Sequence, residues 1–86
     1  MCDNHDGENM ISITIKSYDG TINDSISCKT TDKFNQIEIQ IYEKYPEYMS
    51  LENFFLANGY KINKYKTLEE NRIKNGDIIL MKSMDE

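Results

Sequence analysis

The densest run of chemically able side chains in this 86-residue chain lies at its start: Cys2, Asp3, His5, Asp6 and Glu8. Thiolate, imidazole and carboxylate are the donors that bind transition metals. A calcium loop centred on Asp6-Gly7 would place Cys2 at the first ligand position and Ile13 at the twelfth. Those positions need Asp and a bidentate Glu. Cys2 and His5 could pair as thiol and base only if held within hydrogen-bond reach. Residues 1–9 have no apolar side chain besides Met1 and Cys2, so the segment reads as a flexible acidic tail. No metal, cofactor or catalytic residue is expected.

A second group comprises Lys61, Lys64, Lys66, Arg72 and Lys74, with Tyr60 and Tyr65 interleaved. Bases with aromatics suit an acidic partner or RNA. Glu69, Glu70 and Asp77 offset them, so a solvated loop is the simpler expectation. Asn23-Asp24-Ser25 fits a glycosylation sequon, read as chance in an Asn-rich chain. Cys28 falls on the inward side of a strand pattern, as a small apolar residue would.

Composition narrows the classes further. The net charge is −5, and residues 1–9 contribute three acids and no base. Asp85 and Glu86 add two more, so residues 10–84 are electrically balanced. The bulk charge argues against phosphate-backbone binding. No apolar run approaches the roughly 18 residues of a membrane span. The start is acidic and polar, unlike a secretory or transit leader, so an intracellular protein, cytoplasmic or nuclear, is expected. One His, four Gly and no phosphate loop argue against an enzyme or a small-molecule substrate. Twelve Ile and no Val point to an AT-rich coding sequence.

The elements that must position any site follow from periodicity. Ile11, Ile13 and Ile15 alternate with polar residues, the pattern of a half-buried strand. Asp19-Gly20 signals a turn, and Ile26 and Cys28 resume the alternation. Phe34, Ile37, Ile41 and Tyr45 form one helical stripe, which predicts a helix over 33–44. Thr31 or Asp32 is the expected N-cap, and Pro46 the stop. Phe54–Ala57 and Tyr60–Ile62 flank an Asn58-Gly59 turn. Thr67-Leu68-Glu69-Glu70 matches a capping box. Ile78–Met81 is apolar throughout, which suggests a central strand buried on both faces. The expected core is Ile13, Ile15, Ile26, Cys28, Phe34, Ile37, Ile41, Leu51, Phe55, Ile62, Leu68, Ile73, Ile79 and Met81. One or two of Tyr42, Tyr45 and Tyr48 are expected to cap it.

This order, β-β-α-β-β-turn-β, resembles the ubiquitin-like β-grasp family over about Met10–Lys82. The residues that carry the likeness are Ile15–Gly20, Phe55–Ile62, Thr67-Leu68, Ile73 and Gly76–Met81. The resemblance implies an α+β domain over 10–83 with a short tail at 84–86. Its five-strand mixed sheet would wrap one helix, with the first and last strands parallel in the centre. The stretch 45–53 also resembles SUMO-type members.

The family's interaction surface is an exposed aliphatic patch on the sheet. By residue matching its places hold Tyr18, Leu56 and Lys82, with Leu80 beside them, and Gly59 is counted with these expected partner-binding residues. Lys82 stands where the family has an aliphatic residue. Modifiers of this family end in Gly-Gly, whereas this chain ends Lys82-Ser83-Met84-Asp85-Glu86. Tyr60 and Asn75 stand where ubiquitin has its main chain-forming lysines. The resulting expectation is a non-catalytic domain that binds a protein partner through its sheet. A ubiquitin- or SUMO-like modifier is the alternative, and a nucleic-acid-contacting β-grasp protein using Lys61–Lys74 the third reading.

Overall fold

The computed structural model describes residues 10–84. The potential ligands Cys2, Asp3, His5, Asp6 and Glu8, the acidic segment 1–9 and residues 85–86 lie outside that range. The elements are β1 (Met10–Ser17), β2 (Asn23–Lys29), α1 (Phe34–Lys44), a 3-10 turn (Pro46–Tyr48), β3 (Asn53–Ala57), β4 (Tyr60–Lys61) and β5 (Ile78–Ser83). They form one five-stranded sheet in the order β2-β1-β5-β3-β4. β1 and β5 are parallel neighbours, and the other pairs are antiparallel.

Among the described residues, only one face of this sheet is covered. Ile13, Ile15, Phe55, Ile79 and Met81 point toward α1 and are buried with Phe34, Ile37 and Ile41. Period two in the strands and the i, i+3, i+7 stripe in the helix bring these two apolar sets together. Phe34 and Phe55 meet with ring centroids 4.9 Å apart, tilted by 60°. β5 is central but not buried on both faces. Ile79 and Met81 are buried, whereas Ile78 is 53% exposed and Leu80 half-buried. The reason is that the helix packs on one side, and no element among the described residues covers the other.

The helix start differs from the capping expected of Thr31 or Asp32. The N-cap is Lys33, with no side-chain capping bond. The Asp32 carboxylate instead accepts the Lys29 amide at 3.0 Å. The first helical amides are satisfied across the fold: Phe34 N–H donates to the Lys66 carbonyl and Asn35 N–H to that of Lys64. Leu68 N–H in turn donates to Asp32 O. A remote loop thus does the work of a cap side chain.

The core also differs at several positions. Leu51, expected inside, is 41% exposed. Tyr48 is buried in its place, because the 3-10 turn after Pro46 swings it under the β1–β2 turn. Ile26 is half-buried, and Ile22 and Ala57 join the buried set. Ile22 is turned in because its amide is held by Ser17 Oγ at 2.8 Å.

The capping box forms as the Thr67–Glu70 spacing requires. Glu70 N–H donates to Thr67 Oγ1 at 3.0 Å, and Thr67 N–H to Glu70 Oε1 at 2.9 Å. The turn closes with Arg72 at φ 60. Arg72 N–H donates to Glu69 O and Ile73 N–H to Leu68 O, which is a Schellman closure. Ile73 and Leu68 are both buried beneath it. A side chain in this left-handed region costs about 1 kcal/mol that glycine avoids. Arg72→Gly should therefore raise stability by about 0.5 kcal/mol after the extra chain entropy of glycine. A urea titration reads this as a higher midpoint at unchanged slope.

Candidate functional site

Strand register decides which side chains share the uncovered face. Leu56 lies directly opposite Leu80, and Phe54 opposite Lys82. Lys16 is opposite Leu80 across the parallel pair, and Lys61 opposite Leu56 across β3–β4. Leu56 and Leu80 thus form one cross-strand aliphatic pair, half-buried, with no layer above it among the described residues.

Tyr18 is placed at the end of this pair by the backbone. Its amide donates to Met81 O at 2.8 Å, which extends β1 alongside β5. The ring is 61% exposed and Lys82 Nζ lies 4.6 Å from its centroid. This explains how a lysine fits at an aliphatic position: its ammonium sits over an aromatic face. Lys61 Nζ lies 5.5 Å from the Phe54 centroid in the same way. Gly59 lies in the turn between β3 and β4. It has φ +83 beside Asn58 at φ 54, the two left-handed positions of a tight hairpin turn. That turn sets the register that puts Lys61 opposite Leu56.

The structure therefore brings together Tyr18, Leu56, Leu80 and Lys82 on one face. Sequence reasoning missed Phe54 and Lys16, which belong to the same face. Phe54 stands two residues before Leu56 in one strand, so alternation alone contained the signal.

Of the five bases Lys61, Lys64, Lys66, Arg72 and Lys74, the first two line one groove and the last two another. Lys61 is on the sheet face, whereas Lys64 pairs with Glu38 of α1 at 3.1 Å. Arg72 and Lys74 line a cleft of about 1150 Å³ together with Glu69, Glu70 and Asp77. Asp77 Oδ2 accepts the Lys74 amide at 2.9 Å. Mixed charges at such spacing cancel over a Debye length.

The β1–β2 turn beside Tyr18 is held by a carboxylate. Asp19 Oδ1 accepts Ser17 Oγ–H at 2.6 Å and Thr21 N–H at 2.9 Å, and Oδ2 accepts Tyr48 O–H at 2.8 Å. Ser17, then the Thr21 amide and Tyr48, hold the Asp19 carboxyl well below its ordinary value of 3.8. Since the folded pKa lies below the unfolded one, the stabilisation is complete above about pH 4. It is lost as pH falls from there. Asp19→Asn should flatten the acid side of the stability–pH curve below pH ~4, which denaturant midpoints across pH 2–6 measure.

The opposite side of the molecule carries a polar network. Tyr42 O–H donates to Glu38 Oε2 at 2.7 Å, and Asn53 Nδ2 donates to Tyr42 Oη at 3.1 Å. Burial first, and Glu38 second, push the Tyr42 hydroxyl up to about 12. At neutral pH it is therefore a neutral hydrogen-bonding group, joining helix to β3.

Among the described residues, no helix is long and apolar enough to cross a membrane. No family model matches the chain, and no curated protein matches it. Among solved structures it is similar to a protein designed de novo on the basis of ubiquitin, with a TM-score of 0.76 and 18% sequence identity. The match covers 91% of this chain and 93% of that one. At this identity the likeness establishes the fold: the chain adopts the ubiquitin-like β-grasp, an α+β arrangement of a five-strand mixed sheet around one helix.

Proposed function

We propose that this chain is a non-catalytic protein-binding domain that docks its partner on the outer face of the sheet. One observation carries the reading: Leu56 and Leu80 oppose each other across β3 and β5 with no covering element among the described residues. Tyr18 and Phe54 flank them, and Lys16, Lys61 and Lys82 ring them. An apolar centre inside a polar, charged rim is the anatomy of a small interface. Such contacts hold partners with affinities on the order of micromolar.

The test is capture by the immobilised full chain, compared with a chain carrying Leu56→Asp and Leu80→Asp. Loss of capture with a retained circular-dichroism spectrum supports the assignment, and unchanged capture overturns it.

A further inference from the structure

Three turns of the fold place Asn or Asp directly before Gly: Asp19-Gly20, Asn58-Gly59 and Asn75-Gly76. Such pairs can react with themselves. The glycine nitrogen can attack the side-chain carbonyl carbon before it, because glycine has no Cβ to crowd the approach. With Asn, a bond forms from Gly N to Asn Cγ, and the side-chain NH2 leaves as ammonia with the Gly N–H proton. The product is a five-membered succinimide. Water then adds to one of its two carbonyls and opens the ring, giving Asp or isoaspartate. The net change is amide plus water to carboxylic acid plus ammonia.

Exposure and backbone angle do not separate the three pairs. All six residues are exposed, and each glycine has a positive φ. Hydrogen bonding does separate them, because the attack needs a glycine N–H and a side chain that are both free to turn. Gly20 N–H donates to Ser17 O at 3.0 Å, and the Asp19 carboxylate is held by Ser17, Thr21 and Tyr48. Gly76 N–H donates to Ser12 O at 2.7 Å, and Asn75 Oδ1 accepts Ser12 N–H at 2.8 Å. Both reacting groups of that pair are thus tied to the start of β1. Among the described residues, Gly59 N–H has no hydrogen-bond partner. The Asn58 side chain makes one long bond, from Nδ2 to Asp77 Oδ2 at 3.4 Å.

We infer that Asn58-Gly59 is a self-modifying site, converting to Asp or isoaspartate with water as its co-reactant, while β1 protects Asn75-Gly76. The product acts on the hairpin. Isoaspartate carries the chain through the side-chain carbon and so lengthens a turn of two residues by one backbone atom. That turn sets Lys61 opposite Leu56. A carboxylate at position 58 also meets Asp77 with a like charge where the amide offered a donor. β4 should therefore part from β3. The inference concerns the turn alone and holds whatever docks on the sheet.

Incubating the full chain at mildly alkaline pH, then cleaving with trypsin and sequencing the peptides by mass spectrometry, tests this. Lys44 and Lys61 bracket Asn58, and Lys74 and Lys82 bracket Asn75. Conversion adds one mass unit. In urea beyond the unfolding transition the two sites should convert at similar rates. In the folded chain Asn75 should slow roughly tenfold or more, because it reacts only when its bonds to Ser12 open. Asn58 should keep most of its unfolded rate. In the isoaspartate product the Ile62 amide, which donates to Phe55 O at 2.8 Å, should exchange its hydrogen faster. Folded-state rates that are equal, or faster at Asn75, overturn the site. Unchanged exchange at Ile62 overturns its effect on β4.

Discussion

Phe55→Ala should cost about 3–5 kcal/mol, the usual range for emptying a buried aromatic site. A domain of this size is stable by roughly 4–12 kcal/mol, so the variant sits near the folding threshold. Phe55 is fully buried on β3, opposite Met81 of β5, and its ring packs on Phe34 at the start of α1. Its removal therefore empties the joint between sheet and helix. The neighbouring atoms belong to a five-strand sheet and cannot collapse freely into the gap. Urea denaturation should show the midpoint falling by about 2–3 M at unchanged slope. Leu56→Ala, one residue away but on the opposite face, is the comparison. It is half-buried, and should cost about 1 kcal/mol. Equal losses for the two would contradict the one-sided burial of the sheet.

The second large effect is on binding. Leu56→Asp with Leu80→Asp should lower partner capture at least tenfold. Two carboxylates at the centre of an interface must be desolvated without partners, which costs several kcal/mol. They also place like charges directly opposite each other on β3 and β5, which weakens the strand pair. Leu80→Asp alone, with Leu56 retained, separates a folding defect from a binding defect. Lys64→Glu is the control, because Lys64 pairs with Glu38 on the helix side. Capture that survives Leu80→Asp but is lost with Lys64→Glu would move the docking surface away from the sheet.

Much of the fold was legible because its signals are local. Alternating Ile11, Ile13 and Ile15, the Phe34–Ile37–Ile41 stripe, and the Thr67–Glu70 box each specify their own segment. Asn58-Gly59 does the same, since its backbone needs two left-handed residues in a row. These depend on dihedral preferences and hydrogen bonds within a few residues, which the chain carries wherever it folds. The candidate face was legible only in part. Tyr18, Leu56, Leu80 and Lys82 were found by alternation and residue matching, whereas Phe54 and Lys16 were not.

What escaped is non-local. The helix amides are capped by Lys64 and Lys66 carbonyls, some thirty residues on, so no cap residue marks them. Tyr48 replaces Leu51 in the core because its hydroxyl reaches Asp19. By itself, the sequence determined strand faces, the helical stripe, the turns and a balanced charge between acidic ends. Only the tertiary structure decided that Lys16, Phe54, Lys61 and Lys82 share one face with Leu56 and Leu80. Strand register and order set that face, and both are settled by contacts between residues far apart in the chain.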